Sequence, residues 1–218
     1  LLQEGVTPTT SQIQVLTHGD AVTRLTDPDG LLVVTAPIDL LRDIHIVDTP
    51  GTNAIVREHE RLTTQFVPRS DMVLFITSAD RPFTETERLF LADIRDWGKK
   101  IVIVVNKVDL FGNASELEQV LSYVRRAAQD LLRVDPTVLP VSARLAQRAK
   151  QGEPSLWAAS GFETLETYLR DTLDAESRFR LKVANPLGVG FALATRYETI
   201  AAERLTLMAD DVQLLADV

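Results

Sequence analysis

The sequence predicts an α/β protein with a mainly parallel sheet covered by helices on both faces, continued by one long C-terminal helix. Three observations carry this expectation. Short runs of Val, Ile and Leu recur along the first two thirds of the chain. Segments with helical spacing separate the later runs, and after Asp174 the strand-like runs stop in favour of a single helical pattern. Near-continuous apolar strands alternating with amphipathic helices mark parallel strands buried on both faces. With 218 residues and 45% hydrophobic side chains, the chain can build one substantial core and part of a second.

Taken in order, the predicted strands are 13–16, 31–35, 43–47, 72–77, 101–105 and 137–141, each rich in β-branched residues and bounded by turn formers. The predicted helices are 53–66, 84–97, 115–132 and 162–173. Thr84 with Glu87, and Ser115 with Glu118, have the spacing at which a hydroxyl and a carboxylate reciprocally satisfy free amides at a helix start. Residues 150–160, with Gly152 and Pro154, read as a linker. In the final segment, positions 187, 191, 194, 198, 201, 205, 208, 212 and 215 step by four and three and are apolar except Glu198. A second stripe at Leu193, Tyr197, Ile200, Leu207 and Leu214 makes the apolar face wider than a two-stranded coil needs. This helix is expected to join a bundle of three or four, with its partners elsewhere in a longer chain or in another molecule. The plainer alternative is a terminal helix lying on the sheet domain.

Composition excludes several functions. A net charge of −8 without any basic block argues against nucleic acid as a partner. No cysteine is present, which removes disulfides and thiolate metal sites. No apolar run reaches the length of a membrane span and no signal-peptide pattern opens the chain, so a soluble chain is expected. His18, His45 and His59 lack metal-ligand spacing, no Gly-x-Ser-x-Gly elbow occurs, and Trp97 and Trp157 are isolated.

Two signatures carry chemistry, each at the end of an apolar strand, where open α/β sheets bind their ligands. In Asp48-Thr49-Pro50-Gly51, Asp48 could hold a magnesium ion through water, while Gly51 lets a backbone amide approach a terminal phosphate. The plainer reading is a turn. In Asn106-Lys107-Val108-Asp109, the Asp109 carboxylate can accept from the ring N–H and the exocyclic amine of guanine together, a donor pair that adenine lacks. Asn106 would brace the loop and the Lys107 stem could lie along the base. By residue usage, a chance Asn-Lys-x-Asp in such a chain arises roughly a few times in a hundred. After the next strand, the backbone amides of Ser142-Ala143-Arg144 could meet the guanine carbonyl. Upstream, Gly5-Val-Thr-Pro-Thr-Thr10 offers hydroxyls that could complete a magnesium shell and orient an attacking water.

Asp48-Thr-Pro-Gly51, Asn106-Lys-Val-Asp109 and Ser142-Ala143, in this order, resemble the third, fourth and fifth nucleotide motifs of the translation-factor-related GTPases. More narrowly, Gly5-Val-Thr-Pro-Thr-Thr10, Ser78-Ala-Asp-Arg-Pro-Phe-Thr84 and Asn185-Pro-Leu-Gly188 ahead of a long helix resemble bacterial dynamin-like proteins and their chloroplast relatives. The resemblance implies a three-layer P-loop GTPase-like fold over residues 1–175 and the start of a helical neck or trunk over 176–218. It implies hydrolysis of GTP with Mg2+, and a monovalent cation in some members. It also implies self-association through GTPase heads, and a cytoplasmic protein that meets membrane lipids peripherally through regions outside this chain. By the same resemblance Thr9 or Thr10 would be the switch threonine, with Thr7 in a competing register, and Thr10 would join Asp48 at the metal. Ser78 to Arg81 would reach across a head-to-head interface; an ordinary strand-to-helix connection is the plainer reading.

The sequence departs from the family in lacking the Gly-x-x-x-x-Gly-Lys-Ser/Thr loop that supplies most phosphate contacts. Little nucleotide binding is therefore expected from these 218 residues alone. Two alternatives remain: a GTPase of the ribosome-assembly or tRNA-modifying kind, and a GTPase-like module that works by interaction without catalysis.

Overall fold

The computed structural model describes residues 13–28, 30–49, 62–173 and 175–216. The chain divides into two compact units, Leu1–Phe66 and Val67–Val218.

The first unit holds a four-stranded sheet of β1 (Gln14–His18), β2 (Thr23–Thr26), β3 (Leu32–Ala36) and β4 (Ile46–Asp48), in the order β2-β3-β1-β4. Only β1 and β3 run parallel; β2–β3 and β1–β4 are antiparallel, so this sheet is mixed. A hairpin joins β2 to β3, closed by the Asp27 side chain accepting from the Leu31 amide at 2.7 Å and by Gly30 at φ 78°. Leu16, Val34, Ala36 and Leu41 form its small core, with Leu32 packed against them. The expected helix 53–66 lies outside the described residues except for its last five, Leu62–Phe66, which form one wide helical turn.

The second unit is built on three parallel strands, β5 (Met72–Ser78), β6 (Lys100–Asn106) and β7 (Thr137–Pro140), in that order. Crossovers supply α1 (Glu85–Arg95) and α2 (Ala114–Leu132). After β7 come α3 (Ala143–Lys150), α4 (Leu156–Ala159), α5 (Phe162–Thr172) and α6 (Ala175–Ala216). Side chains alternate across a strand, and the central β6 uses both faces. Ile103 and Val105, with Phe75 of β5, pack against Leu91 and Ile94 of α1 and Leu121, Val124 and Ala128 of α2. Val102 and Val104 turn the other way, onto Leu139, Val141 and Leu165 of α5. Helices on both faces of a parallel sheet give the three-layer architecture that the apolar runs predict.

Helix starts follow local chemistry. Thr84 caps α1 with the expected reciprocal pair, its own amide donating to Glu87 at 2.8 Å. The second expected pair does not form. Asn113 caps α2 instead, accepting from the Ser115 amide at 2.8 Å, and places Ser115 inside the first turn. Helix α3 fills the stretch between the expected strand 137–141 and the expected linker 150–160, and α4 lies within that linker.

Helix α6 runs for 42 residues, about 60 Å at 1.5 Å per residue, with Pro186 inside it. It meets the α1–β6 turn at Gly188, where an added Cβ would come within 3.3 Å of the Gly98 carbonyl oxygen. The expected seam faces outward: Leu187, Phe191 and Leu205 are 72%, 77% and 68% exposed. Among the described residues, no helix is long and apolar enough to cross a membrane.

Candidate functional site

Three loops leave the carboxyl ends of β5, β6 and β7, and their side chains and amides interlock. The β6 loop is the centre. Asn106 ends the strand, and Lys107 takes a left-handed conformation (φ 66°, ψ 31°) that reverses the chain into the single helical turn Val108–Leu110. Asn106 braces this reversal, its side-chain oxygen accepting from the Lys107 amide at 2.7 Å and from the Ala143 amide at 3.0 Å. One acceptor thereby ties the β6 and β7 loops together. Backbone bonds run in parallel: Val108 N–H donates to the Val141 carbonyl at 3.2 Å, and Ala79 N–H in the β5 loop donates to the Asn106 carbonyl at 2.8 Å.

The carboxylate of Asp109 is set into this arrangement with 7% of its side chain exposed. Its Oδ1 accepts from the Ser142 hydroxyl at 2.5 Å, and its Oδ2 faces Arg144 Nη2 at 2.6 Å. Ser142 is fully buried. Its hydroxyl also accepts from the Leu145 amide at 3.1 Å, capping α3, while its own amide donates to the Ser160 carbonyl at 2.8 Å. A charged acceptor buried this deeply is costly without donors, and the two it has satisfy both oxygens.

On the β5 side, Asp80 accepts from the Ser78 hydroxyl and faces Lys107 Nζ at 3.5 Å. The Ser78 bond, aided by the nearby Lys107 charge, holds the Asp80 carboxyl below its ordinary value despite some desolvation.

The sequence-predicted residues divide accordingly. Asn106, Lys107, Asp109, Ser142 and Ala143 come together in the second unit. Asp48 closes β4 in the first unit, opposite Gln14. Thr9, Thr10 and Gly51 lie outside the described residues. Two contacts add to the expectation: the Lys107 head turns to Asp80, and the Ala143 amide, one of those that could meet a guanine carbonyl, donates to Asn106. The partnership of Arg144 with Asp109 was not foreseen. Its signal is a cation in the first turn of α3, where the helix dipole disfavours positive charge.

Interlocked loops at the carboxyl ends of parallel strands, in a three-layer fold, define a GTPase-type α/β domain. Residues 3–109 match the model of the dynamin family, and the chain carries a dynamin-like GTPase domain. The chain is 37% identical over 236 aligned positions to the probable transmembrane GTPase FZO-like, chloroplastic, of Arabidopsis thaliana, covering 97% of this chain and 26% of that protein. It is 28% identical over 153 positions to dynamin-like protein 1 of Campylobacter jejuni, covering 65% of this chain and 21% of the relative. A solved structure from an oligomerised bacterial dynamin pair superposes on all of this chain and 42% of its own, with a TM-score of 0.68 at 19% identity. That likeness is one of fold. The chain thus spans about a quarter of the length of the curated relatives it matches.

Proposed function

We propose that the intact protein binds GTP and hydrolyses it with magnesium, as the head of a dynamin-like protein that remodels membranes. The observation that carries the nucleotide half is the Asp109 carboxylate, almost buried and held at fixed height by Ser142. Guanine presents its ring N–H and 2-amine to one carboxylate, whereas adenine presents no such pair there. The residues proposed for the phosphate and magnesium are Asp48, Gly51, Thr9 and Thr10.

The membrane half is supported by the relatives. One is named a transmembrane GTPase, and the bacterial pair is described as sensing and tethering membranes at long range. The domain division follows: a GTPase head over 1–175 and the start of a helical neck over 176–218, whose outward apolar seam suits packing with further helices. Self-association through heads, with Ser78–Arg81 reaching toward the partner, completes the reading.

The test of the base site is Asp109→Asn in the intact protein. Loss of a charged hydrogen-bond acceptor is expected to weaken GTP by about tenfold or more. It should also confer binding of xanthosine triphosphate, whose added carbonyl accepts from the new amide. Unchanged GTP affinity would remove Asp109 from the site. For the membrane half, GTP turnover and liposome shape should both respond to mixing protein with vesicles; indifference of both favours a GTPase without a membrane role.

A further inference from the structure

We propose that Arg144 is an internal stand-in for guanine: its guanidinium occupies the base-reading carboxylate of Asp109 when no nucleotide is bound and must swing away for the base to enter. The inference rests on the guanine-site reading of Asp109. Arg144 Nη2 lies 2.6 Å from Asp109 Oδ2, while Ser142 holds the other oxygen. A guanidinium and the N1–H/2-amine edge of guanine are chemically alike, each a planar N–C–N unit presenting adjacent N–H donors to a carboxylate. Both cannot hold Oδ2 at once.

The two partners differ in freedom. Asp109 is fixed in the loop and 7% exposed, whereas the Arg144 side chain is 64% exposed and can leave without disturbing the core. Arg144 is the second residue of α3, a helix with no acidic residue in its first turn, so the helix dipole disfavours its charge there. Asp109 is the group that holds it in. The other brace of the site, Asn106, does not depend on Arg144, since it bonds the Lys107 and Ala143 amides. Displacing the guanidinium therefore opens the carboxylate while leaving the loop intact.

A plug acting only on the free protein lowers apparent affinity by the fraction of molecules that are open, and leaves the bound complex untouched. An ion pair with one exposed partner closes the site with a constant of order one to five, so removing it should raise guanine affinity about two- to sixfold. The experiment follows a fluorescent GDP analogue on the intact protein by stopped flow, for wild type, Arg144→Ala, Arg144→Gln and Asp109→Asn. Both Arg144 variants are expected to associate about two- to sixfold faster with an unchanged dissociation rate. Arg144→Gln keeps the stem and guards against a folding defect in the alanine variant. If wild type binds and Asp109→Asn weakens binding, but the Arg144 variants associate no faster or dissociate faster, the stand-in role is overturned and Arg144 becomes an ordinary contact. If wild type does not bind, or Asp109→Asn binds equally well, the base-site reading fails and the inference fails with it.

Discussion

Asn106 shows how much a single side-chain atom can organise. Its Oδ1 is the acceptor for two amides from separate loops, and both would lose their partner in Asn106→Ala. An amide deprived of its partner costs about 1–3 kcal/mol when water cannot replace the bond. Both bonds lie at the surface, where water replaces part of each, so urea denaturation of Asn106→Ala should show a loss near the lower end of this range, about 1 kcal/mol. Asn106→Asp keeps an acceptor in the same place and should recover most of the stability. A loss in Asn106→Asp as large as in the alanine variant would mean that the side-chain amide nitrogen, not the oxygen, does the bracing. Ser142 is bound to the same economy of atoms: one hydroxyl caps α3 and donates to Asp109, so the helix start and the Asp109 carboxylate are positioned together.

At the scale of elements, the turn before α5 couples packing to the site. Gly161 sits at φ 70°, and an added Cβ would lie 2.3 Å from the Pro140 carbonyl oxygen, closer than any contact allows. Its neighbour Ser160 supplies the carbonyl that receives the Ser142 amide. Gly161→Ala should therefore cost about 2 kcal/mol or more, from left-handed strain and the clash together, and should disturb guanine binding. Gly112→Ala, in open space, should stay within about 0.5 kcal/mol of wild type. Thermal denaturation of the pair separates the two cases. These elements also show what the sequence could and could not convey. Strands β5, β6 and β7 were legible as unbroken apolar runs, although among the described residues β6 is the one buried on both faces and Leu74 and Ile76 of β5 are 38% and 60% exposed. Strand β2 was not legible, because all four of its side chains are exposed and no alternation marks it. Helix α3 was not legible either, because its eight residues carry three cations and bury Ala146 alone, which leaves no large apolar stripe. In the site, Asn106, Lys107 and Asp109 fall within four consecutive residues and could be read directly. The roles of Arg144 and Ser160 depend on loops brought together by parallel pairing, which spacing along the chain does not reveal.

For the molecule as a whole, the open question posed by the sequence is whether α6 belongs to the core or to a partner. In the structure it meets the α1–β6 turn at Gly188 and turns large apolar side chains to solvent further along. Phe191 and Leu205, 77% and 68% exposed, therefore stabilise little of the folded unit that carries them. Replacing both with Glu should shift its unfolding free energy by no more than about 0.5 kcal/mol per site, since neither leaves a cavity and Glu is a good helix former. The same change should abolish any association that uses the seam, because two carboxylates would have to be buried without partners. Calorimetry and sedimentation velocity on the intact protein, read together, decide the matter. Unaltered melting with reduced association assigns α6 to a bundle completed from outside the 218 residues. If melting instead falls by an amount typical of core truncation, about 2–5 kcal/mol, the helix lies on its own sheet domain and the neck reading is lost.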